Sequence, residues 1–484
     1  MFARLLKTIS VYFGANLFAK ALNFLFFAWL SRLLSIEEMG EFSLLNMAVT
    51  ILSLLMLLEM PSGFNRYYLD QALDEREVFE NSIINFLLIV NAILVGGLIV
   101  IYAVFPQIFV VLPQDAWALG FVLLIPFGNA VVSIYQTKMR LLQRATNVAW
   151  VMLAQSLGYI GTFFLLWQLG FSKLAALMGA FVGQNVFIVI LRYKDFCTWR
   201  PTIRWEKIRE CARFSVWLIP SSLGAYFSLL SGKYFLGRAN MIREVGIYEG
   251  NNKVANTFQL VMEPIYMAVS PMYFARYKEN SYRHFYLQTV GGIALLMLIV
   301  TVVTGCFARE IVWVILGEKY VAYYYYLYFF MGIAIFSFLA RIVAVNIHLA
   351  QKSQYDTMIE VVSGLLNCTL SFFVLMELHC GLTELVLVIT ACYGGRFILY
   401  LVVANRCFPK TAVPVLYGGA FIGLGIFVGI GNERLQILDI GFRVLACMLE
   451  LAVLLFVASR VGKINLLDLW KRRYGWKKYE EERR

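Results

Sequence analysis

Charged residues are scarce in this sequence. Asp, Glu, Lys and Arg together make up 15% of its 484 residues, whereas apolar residues make up 61%. A soluble domain needs a larger share of charge to cover its surface, so this composition excludes a conventional soluble protein. It indicates instead a chain that lies largely within a lipid bilayer.

Metal-binding and redox motifs are also lacking. The eight cysteines are scattered without a C-x-x-C pair, and the three histidines show no metal-ligand spacing. We therefore expect no metal site, no cofactor and no catalytic residue. Large outer loops are missing too, because the longest outer connection, Phe307 to Val321, has only about 15 residues.

Long apolar runs fill most of the chain. About fourteen segments of roughly 18 to 23 residues are each long enough to cross roughly 30 Å of hydrocarbon as a helix. The predicted transmembrane helices are Ile9 to Leu30, Phe42 to Met60, Ile83 to Phe105, Trp117 to Gln136, Val148 to Trp167, Leu174 to Leu191, Phe214 to Leu236, Ile247 to Val269, Leu287 to Cys306, Ala322 to Ile342, Thr357 to Met376, Thr383 to Ala404, Val413 to Ile430 and Ile437 to Ala458.

The distribution of positive charge predicts the orientation in the membrane. The first apolar run is too long for a signal peptide and no cleavage pattern follows it, so we expect it to stay as a helix. With the N-terminus inside, the connections hold roughly 29 Lys and Arg residues inside and roughly 9 outside. Both termini are therefore predicted to be cytoplasmic. The net charge of +12 is explained by this topology, and no nucleic-acid partner is expected.

An internal duplication organises the chain. The segment LSRLLSIEEMGEF at Leu30 to Phe42 returns as LGRANMIREVGIY at Leu236 to Tyr248, an offset of 206 positions. This pattern predicts two six-helix lobes, residues 1–200 and 201–405, then two further transmembrane helices in 406–460 and a basic cytoplasmic tail in 461–484. Because each lobe has an even number of helices, we expect a pseudo-two-fold axis along the membrane normal and a cleft between the lobes.

Polar residues recur at helical spacing inside several predicted helices, which is typical of a helix face turned toward a cleft. They are Asn16, Lys20 and Asn23 in the first helix, Asn46, Thr50 and Ser53 in the second, Asn129, Ser133 and Gln136 in the fourth, and Asn252, Asn256 and Gln259 in the eighth. The alternative is that these side chains only hold helices together.

Ionisable residues at membrane depth need water or a partner, because each costs on the order of 3 kcal/mol to insert. We predict that Lys20 and Arg396 face a hydrated cavity, whereas Lys233 reaches the membrane surface. The candidates for coupling to an ion are Glu263, Asp356 and Glu360. Cations outnumber acids among the deep residues, so the cleft is expected to attract an anion, for which a diphosphate is one candidate.

Several segments resemble the polysaccharide transporter family, which is part of the superfamily that includes the multidrug and toxin extrusion transporters. They are N-x-x-x-K from Asn16, L-x-R-x-L-S-x-E-E-x-G-x-F from Leu30, R-Y-Y from Arg66 and E-V-G-I-Y from Glu244. The resemblance implies a V-shaped pair of six-helix lobes in the bacterial inner membrane. It also implies that Lys20 meets the substrate diphosphate and that Arg32 and Arg66 are interface residues.

The same resemblance implies a function in the synthesis of O-antigen, capsule or exopolysaccharide. Such proteins move an undecaprenyl-diphosphate-linked oligosaccharide from the inner to the outer leaflet by alternating access. The implied partners are that glycan, membrane lipids, and the proteins that polymerise the polysaccharide or set its chain length. A multidrug or metabolite exporter of the same fold is the alternative. A glycan polymerase or another lipid-dependent enzyme is less favoured, because the chain lacks the loops for a catalytic domain.

Overall fold

The computed structural model describes residues 2–105, 115–142, 144–196, 199–277, 279, 282–407 and 448. These residues are almost entirely helical and contain no β-strand. The helices are α1 (Phe2–Leu33), α2 (Ile36–Leu57), α3 (Met60–Tyr67), α4 (Arg76–Val104), α5 (Ala116–Leu141), α6 (Ala145–Gln168), α7 (Lys173–Leu191), α8 (Tyr193–Phe196), α9 (Trp205–Ser215), α10 (Ile219–Arg238), α11 (Ile242–Arg276), α12 (Tyr282–Leu316), α13 (Tyr326–Leu349), α14 (Ser353–Phe372) and α15 (Leu382–Cys407).

Most of these helices are long enough to cross a bilayer. Within the described ranges, ten helical segments combine sufficient length with sufficient hydropathy. Helices α1 and α11, with 32 and 35 residues, have the necessary length as well. The prediction of an all-helical, multi-pass membrane protein is therefore confirmed. The predicted helices at Val413 to Ile430 and Ile437 to Ala458, and the basic tail, lie outside the described residues.

The start and the end of α2 follow from its sequence. The Ser35 hydroxyl accepts a hydrogen bond from the Glu38 amide at 3.0 Å, and the Glu38 carboxylate accepts one from the Ser35 amide at 2.7 Å. This capping box satisfies amides that the first turn leaves unpaired. Leu58 and Glu59 adopt left-handed backbone angles (φ 48° and 54°), so α2 ends before the predicted Met60 and a separate short helix, α3, follows.

The chain forms two compact units. Unit 1 comprises Met1–Gly250, Ile315–Lys319 and Glu360–Leu385. One of its apolar clusters joins α1, α2, α5, α6 and α7 around Phe26, Leu30, Met39, Phe163 and Leu177. The glycines of α6 and α7 let these two helices approach closely, since a Cβ on Gly158 would lie 2.9 Å from the Cβ of Phe187. The boundaries of the predicted lobes stay a prediction.

The duplicated segments meet each other inside unit 1, where α2 crosses the start of α11. A Cβ on Gly40 would collide with the carbonyl oxygen of Ile242, and a Cβ on Gly246 would collide with the carbonyl oxygen of Ile36. Ile36 and Ile242 are themselves counterparts in the two copies. The contact of Gly40 with Ile242 is therefore repeated, with the copies exchanged, by the contact of Gly246 with Ile36. Reciprocal contacts of this kind are the mark of a two-fold arrangement.

The end of α12 and the segment that follows it pack on the end of α1 within the same unit. The Ser31 hydroxyl donates a hydrogen bond to the Ile315 carbonyl at 3.2 Å, and the Lys319 ammonium donates to the carbonyls of Leu34 and Arg32, the latter at 3.4 Å. Positive charge is favourable at a helix C-terminus, where carbonyl groups lack partners. Burial lowers the pKa of the Lys319 amine.

Unit 2 comprises Asn251–Val314, Tyr320–Ile359 and Val386–Arg484. Among the candidate membrane spans in the described ranges, α13 is the most enclosed, with 72% of its most apolar window buried. The Tyr282 hydroxyl of α12 donates to the Asn346 side chain of α13 at 2.6 Å, and both residues are buried. The backbone of α12 leaves helical geometry at Phe307, which marks a kink.

Candidate functional site

Lys20 lies near the middle of α1, on a face of its own. The stripe containing Ala19, Phe26 and Leu30 is buried against the rest of unit 1, and the Ala19 carbonyl accepts a hydrogen bond from Ser156 of α6. A second stripe, about 100° round the helix from the first, is apolar and exposed, with Phe18 at 62% and Leu25 at 65%. From the helical period, the half-buried Lys20 lies on the other side of the buried stripe, nearly opposite Phe18 and Leu25.

The surroundings of Lys20 are polar along the same face. Asn16 is half-buried and Asn23 is exposed, and they stand one turn before and one turn after Lys20. Lys20 forms no ion pair with any residue in the described part of the chain. A lysine so far from the helix ends is costly in hydrocarbon, and a bound anion or water removes that cost. This face of α1 is therefore suited to an anionic ligand.

The polar stripe of α2 divides into two parts. Near the start, Asn46 and Thr50 are half-buried, and the Thr50 hydroxyl donates to the Asn46 backbone carbonyl at 2.8 Å. Further along, Ser53 accepts from the Asn129 amide of α5 at 3.0 Å, and Asn129 accepts from Asn185 of α7 at 2.9 Å. The second part links three helices. Its side chains therefore hold helices together, which was the alternative interpretation of such stripes.

The fourth-helix stripe continues this packing role. Gln136 of α5 donates to Gln155 of α6 at 2.9 Å, and the Ser133 hydroxyl donates to the Ala130 carbonyl of its own helix at 3.1 Å. The side chains of Asn46, Thr50 and Ser133 are thus the parts of these two stripes that form no hydrogen bond to another helix in the described structure.

The α11 residues lie in unit 2. Asn252 and Asn256 are half-buried, and the Asn256 amide donates to the Asn252 side chain at 3.2 Å. The Gln259 side chain falls outside the described part of the structure. Glu263 forms an ion pair with Arg341 of α13 at 2.6 Å, and the Arg341 guanidinium lies 5.7 Å from the Tyr266 ring centre.

Asp356 and Arg396 come together in unit 2. The Asp356 carboxylate accepts from the Tyr400 hydroxyl at 2.6 Å and lies 3.3 Å from Nε2 of His348. The Arg396 guanidinium lies 5.8 Å from the ring centres of both Tyr393 and Tyr400, close enough for a cation–π contact. This group joins an acid and an imidazole, which can exchange a proton, with a guanidinium that keeps its positive charge.

Glu360 lies in unit 1, where α14 packs closely on α10. A Cβ on Gly224 would lie 2.8 Å from the Cα of Val361 and 3.0 Å from the carbonyl carbon of Glu360. Further along, after one turn of α10 and nearly two turns of α14, the Asn367 side chain donates to the Ser228 carbonyl at 2.8 Å. Glu360 is half-buried beside this contact.

A buried ion pair that the sequence did not reveal lies at the junction of the two copies. Lys233 of α10 and Glu249 of α11 are 6% and 1% exposed and form an ion pair, and the Ser43 hydroxyl of α2 donates to the Glu249 carboxylate at 3.0 Å. The prediction that Lys233 reaches the membrane surface is therefore wrong. Glu249 carries a weak sequence signal, because its counterpart 206 positions earlier is Ser43.

The predicted site residues fall into two sets that the structure keeps in separate units. Unit 1 holds Asn16, Lys20, Asn23, Asn46, Thr50 and Glu360, and unit 2 holds Asn252, Asn256, Gln259, Glu263, Asp356 and Arg396. Within the described ranges, no group of three or more His, Cys, Asp or Glu residues could hold a metal ion. The cations of these two sets are suited to bind anions, and their amides and hydroxyls are suited to form hydrogen bonds.

These features define a class: an internally duplicated, multi-pass helical membrane protein with cations and amides at membrane depth. The chain belongs to the polysaccharide biosynthesis protein family, whose model matches residues 5–278, more than half of its length. The family expected from the sequence is therefore confirmed. No curated protein matches the chain.

Solved structures confirm the fold class. The lipid II flippase MurJ in an inward closed conformation is similar with a TM-score of 0.65 at 12% identity, covering 95% of this chain and 98% of that one. An inward-facing multidrug resistance MATE transporter of the MOP superfamily gives 0.55 at 13% identity, covering 86% and 98%. A MOP superfamily transporter from Pyrococcus furiosus, described as having a binding pocket of reverse polarity, gives 0.51 at 14% identity, covering 87% and 96%.

Proposed function

We propose that this protein is a flippase for an undecaprenyl-diphosphate-linked oligosaccharide in the bacterial inner membrane. It would move the glycan from the inner to the outer leaflet, with both termini cytoplasmic, for the synthesis of O-antigen, capsule or exopolysaccharide. The observation that carries the proposal is Lys20, a half-buried cation in mid-helix without an ion-pair partner among the described residues. The polysaccharide biosynthesis family supports it.

The proposed binding mode assigns the diphosphate to basic residues and the sugars to amides. Lys20 donates charge-assisted hydrogen bonds to phosphate oxygens. Such bonds are roughly twice as strong as those that neutral side chains form. Asn16, Asn23, Asn46 and Thr50 of unit 1 bind sugar hydroxyls. Asn252, Asn256, Gln259 and Arg396 contribute from the second copy, and the polyprenyl tail stays in the bilayer. Rocking of the two lobes then exposes the cavity outward.

The acidic residues offer a route for coupling to an ion gradient. Among Glu263, Asp356 and Glu360, Asp356 has the most suitable surroundings, because Tyr400 and His348 both contact its carboxylate. Protonation of Asp356 neutralises its carboxylate, which weakens the contacts with Tyr400 and His348 and frees both side chains to move. Glu263 is already paired with Arg341. Proteins that polymerise the glycan or set its chain length would act after release.

Transport in proteoliposomes tests the proposal. The probe is an undecaprenyl-diphosphate-linked oligosaccharide with a fluorescent sugar, whose arrival in the outer leaflet is read by an external lectin. We expect Lys20→Ala to lower the initial rate by at least about tenfold, since a hydrogen bond to a charged group contributes roughly 1.5 to 3 kcal/mol. Lys20→Arg should keep part of the rate. The control is Lys352→Ala, an exposed lysine between α13 and α14.

The same vesicles separate this function from its rivals. A multidrug exporter would move an organic cation such as tetraphenylphosphonium and leave the lipid-linked glycan in place, and Lys20→Ala would not slow it. An enzyme would change the glycan, so recovery of the probe with unaltered mass after transport is the expected result. Wild-type rates for Lys20→Ala, or a chemically altered probe, would contradict the proposal.

A further inference from the structure

A groove runs between α6 and α7 near the end where α7 terminates. Its volume is about 250 Å³, and it is lined by Trp150, Val151, Ala154, Ile188, Leu191 and Arg192. Five of the six lining residues are apolar and the sixth is a cation at one end. An apolar groove with a single charge at its end is suited to part of a lipid chain and its headgroup.

The groove is preformed. Its floor residues Val151, Ala154 and Ile188 are buried and belong to one apolar cluster with Val132, Tyr135, Met139 and Val148 of α5 and α6. Farther along the helices, Gly158 and Gly183 hold α6 against α7, because each lacks a Cβ where a neighbouring side chain sits. A packed floor and a fixed helix contact keep the groove open without a ligand.

The rim of the groove faces the bilayer. Trp150 is 62% exposed and Leu191 is 55% exposed, and the neighbouring Ile190 is also exposed. Apolar side chains on the outside of membrane-spanning helices contact acyl chains, and tryptophan is favoured at the membrane surface. These exposed side chains leave the groove open to an acyl chain from the membrane side.

The mouth of the groove is cationic. Arg192 follows the last residue of α7 and forms no ion pair within the described ranges. Lys194 is exposed two residues later, and Arg144 lies within electrostatic range of the same Tyr135 hydroxyl as Arg192. The neighbouring acid, Asp195, accepts a hydrogen bond from Tyr135 at 2.6 Å. Positive charges thus exceed negative ones at this point.

From these observations we infer that the groove binds one acyl chain of an anionic membrane phospholipid, with the phosphate on Arg192. The occupant is a phospholipid because the groove lies on the perimeter of unit 1 and carries its cation at the connection predicted to be cytoplasmic. Anionic phospholipids of that leaflet attract such cations. The polyprenyl carrier of the proposed substrate is the competing occupant, and the experiment separates the two.

Native mass spectrometry of the delipidated full-length protein tests this inference. Phosphatidylglycerol and phosphatidylethanolamine with identical acyl chains are added in turn. We expect at least about fivefold tighter binding of one phosphatidylglycerol, from the roughly 1 kcal/mol that one basic residue contributes. Arg192→Gln should remove this preference, Arg192→Lys should keep it, and the control Arg209→Gln on α9 should leave it unchanged.

A second variant tests the chain-binding part of the site. Ala154→Leu fills the floor and should weaken both phospholipids equally, while the thermal unfolding midpoint confirms that the variants fold. Equal binding of the two phospholipids by the wild type, or an unchanged preference in Arg192→Gln, would overturn the inference. Displacement of phosphatidylglycerol by a lower concentration of undecaprenyl phosphate would also overturn it, because the groove would then belong to the carrier.

Discussion

Gly40 and Gly246 lie opposite each other where α2 crosses α11, and they are counterparts in the duplicated sequence. A Cβ on Gly40 would stand 3.1 Å from the backbone nitrogen of Gly246. Two further pairs of counterparts also meet: Glu37 lies 3.6 Å from Arg243, and Ser43 bonds Glu249 at 3.0 Å. Successive pairs are three residues apart, so one face of α2 packs against the corresponding face of α11. A symmetric dimer of one module would make the same contact.

Alanine at either crossing glycine should destabilise the protein. The new methyl group of Gly40→Ala or Gly246→Ala would collide with a backbone carbonyl, which cannot move as a side chain can. We expect a loss of about 1 to 3 kcal/mol or more, seen as a lower unfolding midpoint in detergent. Gly97→Ala on α4 is the control, because nothing lies within 4 Å of its Cβ position. Equal midpoints for all three variants would contradict the crossing.

Removing one partner of the buried ion pair should cost more than removing both. Lys233→Met leaves the Glu249 carboxylate buried without its ammonium, and Glu249→Gln leaves the ammonium without its carboxylate. Each single change should cost about 3 to 5 kcal/mol, whereas the double variant should recover most of that loss. The Gln side chain still accepts from Ser43. A double-mutant cycle of unfolding midpoints measures this coupling, and additive losses would show that the two charges do not interact.

The sequence was sufficient to predict the membrane class and the duplication. Apolar runs set the helices, and an offset of 206 positions identified the counterparts that the structure brings into contact. It did not predict the Lys233–Glu249 pair. The first copy has Ser43 in place of Glu249, so the repeat pattern gave no acid to expect there. The burial of Lys233 depends on which face of α10 meets α11, and helical periodicity alone does not fix that face.

The polar residues of α2 and α5 should separate into packing and transport roles. Asn129→Ala breaks the hydrogen bonds that link α2, α5 and α7. It should lower stability by about 0.6 to 2 kcal/mol and leave the transport rate of the folded fraction unchanged. Asn46→Ala should lower the transport rate and leave stability unchanged, since the described structure gives its side chain no bond to another helix. Thermal unfolding and vesicle transport of both variants measure the two effects, and a shared profile would contradict the division.

Lys319 should protect the end of α1 from local opening. Lys319→Met removes the ammonium that contacts the carbonyls of Leu34 and Arg32. We expect faster amide exchange in the last turn of α1, corresponding to about 0.3 to 1 kcal/mol, with little change in global stability. Glu318→Gln, one residue away, is the matched control. Unchanged exchange in the last turn would show that Lys319 does not stabilise this helix end.

The candidate site was predicted only in part. Helical spacing placed Asn16, Lys20 and Asn23 on one face of the first helix, and α1 is helical across all three, but their role in binding stays a prediction. The same spacing placed Ser53 with Asn46, yet Ser53 bonds Asn129. Amides that pack helices and amides that bind sugars have the same chemistry, so a pattern in one helix cannot separate them. The neighbouring helices decide the role, and they are known only once the fold is.

Reagent access beside Lys20 tests the central claim most directly. In a background without the eight native cysteines and with Lys20 kept, Asn23→Cys, one turn after Lys20, should react with a membrane-impermeant maleimide, and added undecaprenyl diphosphate should slow that reaction. Phe18→Cys, on the exposed apolar stripe of the same helix, should stay unreactive in the bilayer. Equal labelling of the two positions, or labelling at position 23 that the diphosphate does not slow, would contradict a hydrated anion-binding cavity at Lys20.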